Sequence, residues 1–560
     1  MKENTQTKGW WNKGVVLALL VGAVGGNTQA AAVPLSEKTP PPASTLARPN
    51  LLVIITDQQQ FNATSIAGNT VLKTPNMDRI GNEGVFFTRA NSECPVCGPA
   101  RSCLMTGRTV EHTTVFTNGD ANIADRTSMP CYDEILADAG YRTEYYGKWH
   151  APVGRALKYD NAVTPAGERE WERGPGMAKQ YNEYLAKHVK KARLWLNPEM
   201  ENSGMQEQTF NQRPYKTNPL DSRYGLQPGI KTDENGNKIK VSQPDQHGIS
   251  TIPEEYTITA FQAQMTLEAL DRLAKKGEPF SLHCSFHCPH SPITPSEPYA
   301  SMYKPEDMVP PVSISDPMVN TPYIHENGRS HLPQYADPEK IKYMIANYYA
   351  FVKEIDVWMG RILDRLDELG LAGNTLVIFT SDHGEMLGAH GMREKNVFYE
   401  ESVHIPLMMR FPGRIEVGAV VDEPVSHIDL YATIEDYLGI DKTESDGESL
   451  RRYIEGTDQS KDPYAVSEWN YRGPVQPNLM VRTKEWKYFI PNTADSKVMN
   501  VLYNLEKDPY EMNNLLGTNP KAEKYRKQAE YMKSLLVQWL EKTDSPHTAG
   551  VKNRDAVFVQ

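Results

Sequence analysis

Cys97, Arg101 and Arg108 fall within one short stretch, Cys94-Pro-Val-Cys-Gly-Pro-Ala-Arg-Ser-Cys-Leu-Met-Thr-Gly-Arg108. Pro99 and Ala100 can open a helix, because proline fixes φ and is tolerated in a first turn. Cys97 is then expected at the helix N-terminus, where free N–H groups and the macrodipole favour negative charge. With two guanidinium groups near a sulfur, the stretch predicts an anion site. Cys94 and Cys97 also form a CxxC pair, whose plain reading is a redox or structural dithiol.

Other residues of matching chemistry end apolar runs. Asn50-Leu-Leu-Val-Ile-Ile-Thr56 reads as a buried parallel strand, with Asp57 and Gln58 at its carboxyl end. Thr375-Leu-Val-Ile-Phe-Thr380 reads the same way, with Asp382 and His383 just beyond it. Open α/β sheets collect ligands outside the carboxyl ends of their strands. If the two strands are neighbours, Asp57, Gln58, Asp382 and His383 make an oxygen-rich set with one imidazole, suited to a hard divalent cation. Calcium is the first expectation, because a flexible oxygen-dominated site tolerates it, and magnesium the second. Lys148 and His150 are two apart after Tyr141-Arg-Thr-Glu-Tyr-Tyr146, so on an extended segment they share a face and could bind and protonate an anion. In His287-Cys-Pro-His-Ser-Pro292 the prolines fix a turn able to aim His290 into a cleft.

These motifs together resemble the formylglycine-dependent sulfatases of the alkaline-phosphatase-like superfamily. Cys97-Gly-Pro-Ala-Arg101 with Thr106-Gly107 matches the Cys-x-Pro-x-Arg…Thr-Gly signature. Thr74-Pro-Asn-Met-Asp-Arg79, Gly147-Lys-Trp-His150 and the run Gly384-Glu-Met-Leu-Gly-Ala-His-Gly391 on to Leu407 are similar to family sequences as well. The family often has Asp at the place of Ala389 and Arg at that of His404, and varies between Asn and His at 383. The resemblance implies that a maturation enzyme oxidises Cys97 to formylglycine, whose hydrate attacks sulfur and is also a metal ligand. It implies sulfate contacts for Arg101, Lys148 and Lys395, proton transfers at the hydrate for His150, and protonation of the leaving oxygen by His290. Rival readings are a phosphate or phosphonate ester hydrolase of the same fold, a non-catalytic binder of sulfated glycans, and a CxxC redox protein. The last leaves Asp57 and Asp382 unexplained.

The elements that must position these groups follow from periodicity. Cys131–Gly140, Thr257–Lys276 and the face Ile355, Met359, Ile362, Leu366 and Leu369 read as helices. Glu278–Phe286 reads as a strand. The expected fold is α/β: a large, mostly parallel central sheet flanked by helices, then a smaller C-terminal α+β region with an antiparallel sheet. In that region Asn478–Arg482 and Glu485–Ile490 read as a hairpin, and Glu523–Leu540 as a final helix. The expected division is a catalytic domain over 49–440, interrupted by a polar insertion at about 153–253, and a C-terminal subdomain over 441–560. Within the insertion Gln180–Leu196 has helical character and Asp233–Asn237 looks like a turn. Trp469, Tyr471 and Arg472 could line a sugar subsite or be structural.

At 560 residues, 39% hydrophobic and 23% charged, the chain has the composition of a globular protein with a large core. A net charge of −11 argues against a general nucleic-acid binder. Lys8 and Lys13, the apolar run Val15–Val24 and Ala30-Ala-Ala32 read as a signal peptide over 1–32, followed by a proline-rich linker over 33–48. The apolar run is about half of the ~20 residues that a membrane span needs. The expectation is a periplasmic or secreted protein without a stable membrane span, acting on sulfated carbohydrate. The pairing of its six cysteines is open.

Overall fold

The structure is a computed structural model that describes residues 48–558, apart from 122–128, 324–334, 459, 461, 470–475 and much of 152–246. The expected signal peptide, most of the linker and most of the insertion lie outside the described residues, as do Tyr471, Arg472 and the turn at Asp233–Asn237.

In chain order the central elements are β1 (Asn50–Asp57), α1 (Pro75–Asn82), β2 (Val85–Phe87), α2 (Cys97–Thr106), α3 (Tyr132–Asp138), β3 (Arg142–Gly147), α4 (Ile258–Lys276), β4 (Phe280–Pro289), α5 (Pro338–Glu368), β5 (Thr375–Ser381), β6 (Leu407–Arg410), β7 (Ala419–Val421) and α6 (Leu430–Leu438). The sheet order is β7-β2-β6-β5-β1-β4-β3. β1 lies between β4 and β5, parallel to both, and β3 extends the parallel run, whereas β6 is antiparallel to both its neighbours. The expected α/β architecture is therefore observed.

β1 is buried along its whole length because both faces are covered. Leu52 and Ile54 pack in one core with residues of α1, α4 and α5. Leu51, Val53 and Ile55 pack in the opposite core with residues of α3 and α6 and with Leu104 and Met105 of α2. Successive strand side chains point to opposite faces, so an unbroken apolar run is what a doubly covered strand requires. Truncating one of these side chains to Ala is a change of about 2–5 kcal/mol. No helix among the described residues is long and apolar enough to cross a membrane.

The C-terminal sheet has four antiparallel strands in sequential order, β8 (Ala465–Glu468), β9 (Leu479–Arg482), β10 (Trp486–Ile490) and β11 (Val501–Asn504). The expected hairpin is its centre. Helix α7 (Arg526–Lys542) packs its Leu535, Leu536 and Trp539 in one cluster with Val481 and Tyr488. Two expectations need correction. Lys191–Leu196 is a strand paired with Met205–Thr209 and Gly248–Ser250, not a helix. The helix before β5 begins far earlier than its apolar stripe suggests, at Pro338, where the Asp337 side chain accepts the N–H of Glu339 and of Lys340.

Candidate active site

β1 and β5 pair in register, Thr56 opposite Ser381, so the acids that follow them arrive side by side. One ligand atom each from Asp57, Cys97, Asp382 and His383 lies within 4.8 Å of the others, and all four residues are buried. Asp382 Oδ1 accepts the backbone N–H of Gln58 at 3.0 Å and of His383 at 2.9 Å, and its Oδ2 accepts Arg101 Nε at 2.7 Å. His383 Nδ1 is 2.9 Å from the Gly384 carbonyl oxygen, which can only accept, so Nδ1 carries the proton. Nε2 then faces Cys97 Sγ, 3.0 Å away. Two carboxylates, an imidazole nitrogen and the side chain at 97 converge on one point. That donor set fits a divalent cation.

Cys97 is the first residue of α2, as expected, but the helix end is not an open anion cradle. The Gly98 N–H donates to Asn118 Oδ1 at 3.0 Å, Pro99 has no N–H, and Ala100 donates to the Val96 carbonyl at 2.9 Å. Side-chain cations do this work instead. Burial pushes the Cys97 thiol up, but Lys148, Lys395 and His383 outweigh it and hold the group well below its ordinary range. Cys94 goes the other way, raised by burial and by Glu93. None of the six cysteines is in a disulfide, so no such bond joins Cys94 to Cys97.

Lys148 and His150 both reach this pocket, but not through an extended register. β3 stops at Gly147, whose φ of 112° and whose approach to the Ser285 carbonyl leave no room for a Cβ; His150 has φ 47°. Lys148 Nζ pairs with Asp57 Oδ2. Asp57 is held below the usual carboxylate range: burial and Cys97 raise it, and Lys148, His290 and Arg101 lower it further. His150 hydrogen-bonds Cys97 and is pushed down to about 4, by burial first and then by Lys148 against the contrary pull of that bond, so its imidazole is neutral at pH 7.

Arg101, expected on the transferring anion, is bonded within the fold through Nε and Nη1. Its Nε is on Asp382 and its Nη1 on the Lys148 carbonyl at 2.8 Å and Ser285 Oγ at 2.9 Å; Nη2 is buried without a hydrogen-bond partner among the described residues. Lys395 Nζ bonds Gln58 Oε1 and lies 3.1 Å from His290 Nε2. His290 Nδ1 donates to the Ser291 carbonyl at 2.7 Å, and burial with the Lys395 charge lowers its pKa. Gln58, expected as a metal ligand, points Oε1 at Lys395 and Nε2 at Glu385. Trp469 is buried in an apolar cluster with Met480 and Phe489.

Sequence reasoning does not single out Asn118, Ser92, Ser285 or Glu385. Ser92 Oγ donates to the Asp382 carbonyl at 2.6 Å, and Ser285 Oγ to the Lys148 carbonyl at 2.6 Å. Glu385 adjoins the Asp-His-Gly motif, which is the one signal that could have drawn notice. Asn118 and Ser92 act through backbone atoms brought together by folding, and Ser285 through the Lys148 carbonyl and Arg101.

The family model described as Sulfatase matches residues 49–440, and one described as N-sulphoglucosamine sulphohydrolase, C-terminal, matches 388–539. Similar proteins include an arylsulfatase of Clostridium perfringens, 26% identical over 90% of this chain and 97% of its own. An N-acetylglucosamine-6-O-sulfatase of Bacteroides thetaiotaomicron is 26% identical over 92% and 90%. Among solved structures, a phosphonate monoester hydrolase of Agrobacterium radiobacter superposes with a TM-score of 0.65 at 24% identity, over 88% of this chain and 96% of that one. A structure described as a complex with its substrate D-glucosamine-2-N,6-O-disulfate superposes with a TM-score of 0.62 at 20% identity, over 89% and 98%. These two likenesses concern the fold. With the family match covering most of its length, the chain belongs to the sulfatase family and is a sulfuric ester hydrolase.

Proposed function

We propose that this is an exported sulfatase that removes sulfate esters from carbohydrates, with a formylglycine made from Cys97 as nucleophile and calcium, or failing that magnesium, held by Asp57, Asp382, His383 and residue 97. The observation that carries the reading is the convergence of these four residues, with Lys148, Lys395, His150 and His290 gathered on the same pocket. A cation held there would polarise a sulfate oxygen, and the aldehyde hydrate would supply a hydroxyl nucleophile.

The residues of the chain do the rest. Lys148 and Lys395, both buried, supply positive charge where the transferred group gathers negative charge. Arg101 aims Asp382 through its Nε, and its Nη2, without a hydrogen-bond partner among the described residues, is left to stabilise charge on the transferred group. His150, neutral and bonded to residue 97, can take the proton of the attacking hydroxyl. His290 holds its Nδ1 proton on Ser291 and turns Nε2 to the pocket; protonated there, it gives that proton to the leaving sugar oxygen. Gln58 is proposed as an additional contact to the cation through Oε1.

Export rests on the N-terminal apolar run and alanine triplet, and the division at residue 440 on the change to antiparallel strands beyond it. A formylglycine-generating enzyme is the implied maturation partner. Sulfated carbohydrate is favoured as substrate by the relative named for N-acetylglucosamine-6-O-sulfate and by the Formosa agariphila relative described as an ulvan-active sulfatase. A desulfation screen over defined sulfated oligosaccharides, run beside matched phosphate and phosphonate esters with the calcium-loaded protein, tests the reading. Sulfate release from at least one sugar, faster than hydrolysis of its phosphate counterpart, is the expected result. Preference for phosphate or phosphonate esters would move the chain to the rival chemistry of the same fold.

A further inference from the structure

We propose that Glu385 is a positioning residue for this site: it fixes which end of the Gln58 side-chain amide faces inward, and thereby sets Gln58 Oε1 against Lys395. The proposal rests on the catalytic reading above and adds to it the residue that orders one of its cations.

Glu385 is 1% exposed, so its charge is of use only through partners within the fold. Its Oε1 accepts the backbone N–H of Leu387 at 3.1 Å and that of Glu394, which clasps both limbs of the loop that ends at Lys395. Its Oε2 accepts Gln58 Nε2. The other end of that amide, Oε1, accepts Lys395 Nζ. Gln58 is otherwise immobilised. Its N–H is on Asp382, its carbonyl takes the Tyr348 hydroxyl at 2.7 Å, and its φ is 70°. What remains free is a half-turn of the amide.

A carboxylate only accepts and an ammonium only donates, so an amide between them satisfies both in one orientation alone. A glutamine in place of Glu385 would break that logic without breaking the loop. Its oxygen can keep both backbone N–H groups, and its NH2 then faces position 58. The Gln58 amide must turn over to offer an oxygen, and its own NH2 is left against Lys395. Restoring an acceptor on both sides of position 58, as the substitution Gln58→Glu does, reverses the fault. A residue that served only as a loop clasp would show neither effect.

The test compares wild type, Glu385→Gln, Gln58→Glu and the double variant, all calcium-loaded and matched for conversion of Cys97 by peptide mass. Three readouts are taken: kcat and KM on 4-nitrophenyl sulfate, the Kd for inorganic sulfate by calorimetry, and the melting temperature. Glu385→Gln is expected to melt within a few degrees of wild type, to lose roughly tenfold or more in kcat/KM, and to bind sulfate more weakly. Gln58→Glu, which sets two carboxylates face to face, is expected to lose as well. The double variant is expected to recover most of both losses. Glu385→Gln equal to wild type in activity and sulfate affinity, or a double variant no better than the single ones, would overturn the proposal. Should Glu385→Gln not fold, Gln58→Glu against the double variant reads the same pairing. Wild type inactive on every sulfate ester would refute the functional reading, while the calorimetric series still decides this one. Failure of wild type to bind sulfate at all counts against both.

Discussion

Asp382 stands between a cation that the chain supplies and one that it would bind. Arg101 is 2% exposed and its Nε rests on this carboxylate, so Asp382→Asn leaves a guanidinium buried without its counter-charge. Breaking one side of a buried pair costs about 3–5 kcal/mol. Denaturant unfolding in the presence of a chelator, which removes any metal contribution, is expected to show that loss; a change below about 1 kcal/mol would mean that Arg101 finds other partners. His290 gives a kinetic prediction. A sugar alkoxide is a poor leaving group and needs a proton, whereas 4-nitrophenolate leaves unaided. His290→Ala should therefore cost about 10²–10⁴ in kcat on a sulfated sugar and far less on 4-nitrophenyl sulfate. Equal losses on the two substrates would remove its acid role.

At the scale of elements, the two strand tips are legible in the sequence because apolar runs rich in branched residues end in acids, and buried parallel strands put their carboxyl ends at ligands. Less legible is anything set by a chain reversal. The Lys148–His150 pair shares a pocket through the turn after Gly147 and not through strand alternation, and the N–H of Gly98 is taken by Asn118, twenty residues on, where spacing gives no warning. The Lys191–Leu196 strand reads wrongly as helix because a short apolar and basic run carries no decisive period; its pairing partners are what make it a strand. Helix packing also supplies a pH prediction. Glu354 of α5 accepts the hydroxyl of Thr257, the N-cap of α4, and its Oε2 is buried without a hydrogen-bond partner among the described residues. Burial pushes this carboxyl up to about 8, against the pull of the Thr257 hydrogen bond. Between pH 4.5 and 8 the unfolded chain has lost this proton and the folded one keeps it, so its contribution to stability falls as pH rises, by roughly 1.4 kcal/mol per unit. Glu354→Gln, which cannot ionise, should flatten the decline in melting temperature over that window and melt higher than wild type at pH 8. An unchanged slope would show that Glu354 ionises freely in the folded state.

Across the whole molecule, the C-terminal sheet is fastened to the loop that carries Lys395. Lys487 of β10 is fully buried; its Nζ lies 2.7 Å from Glu400 and 2.9 Å from Glu511 and donates to the Phe398 carbonyl at 2.9 Å. The composition and the hairpin pattern point to such a sheet, but not to this tie, because a lysine in a strand reads as a solvated face until its partners are known. Lys487→Met should destabilise the protein by about 3–5 kcal/mol, since Glu511 loses its cation and Glu400 is left with Arg482, and should lower kcat through the loosened loop. A variant that melted like wild type would make the two parts independent. The central claim is that an oxidised side chain at position 97, beside a cation held by Asp57, Asp382 and His383, does the chemistry. The most direct test is to prepare the protein at graded degrees of maturation and to plot sulfate release against the fraction of the Cys97 peptide that has the lighter, aldehyde mass. The account predicts a straight line through the origin; full activity from protein whose Cys97 remains a thiol would contradict it.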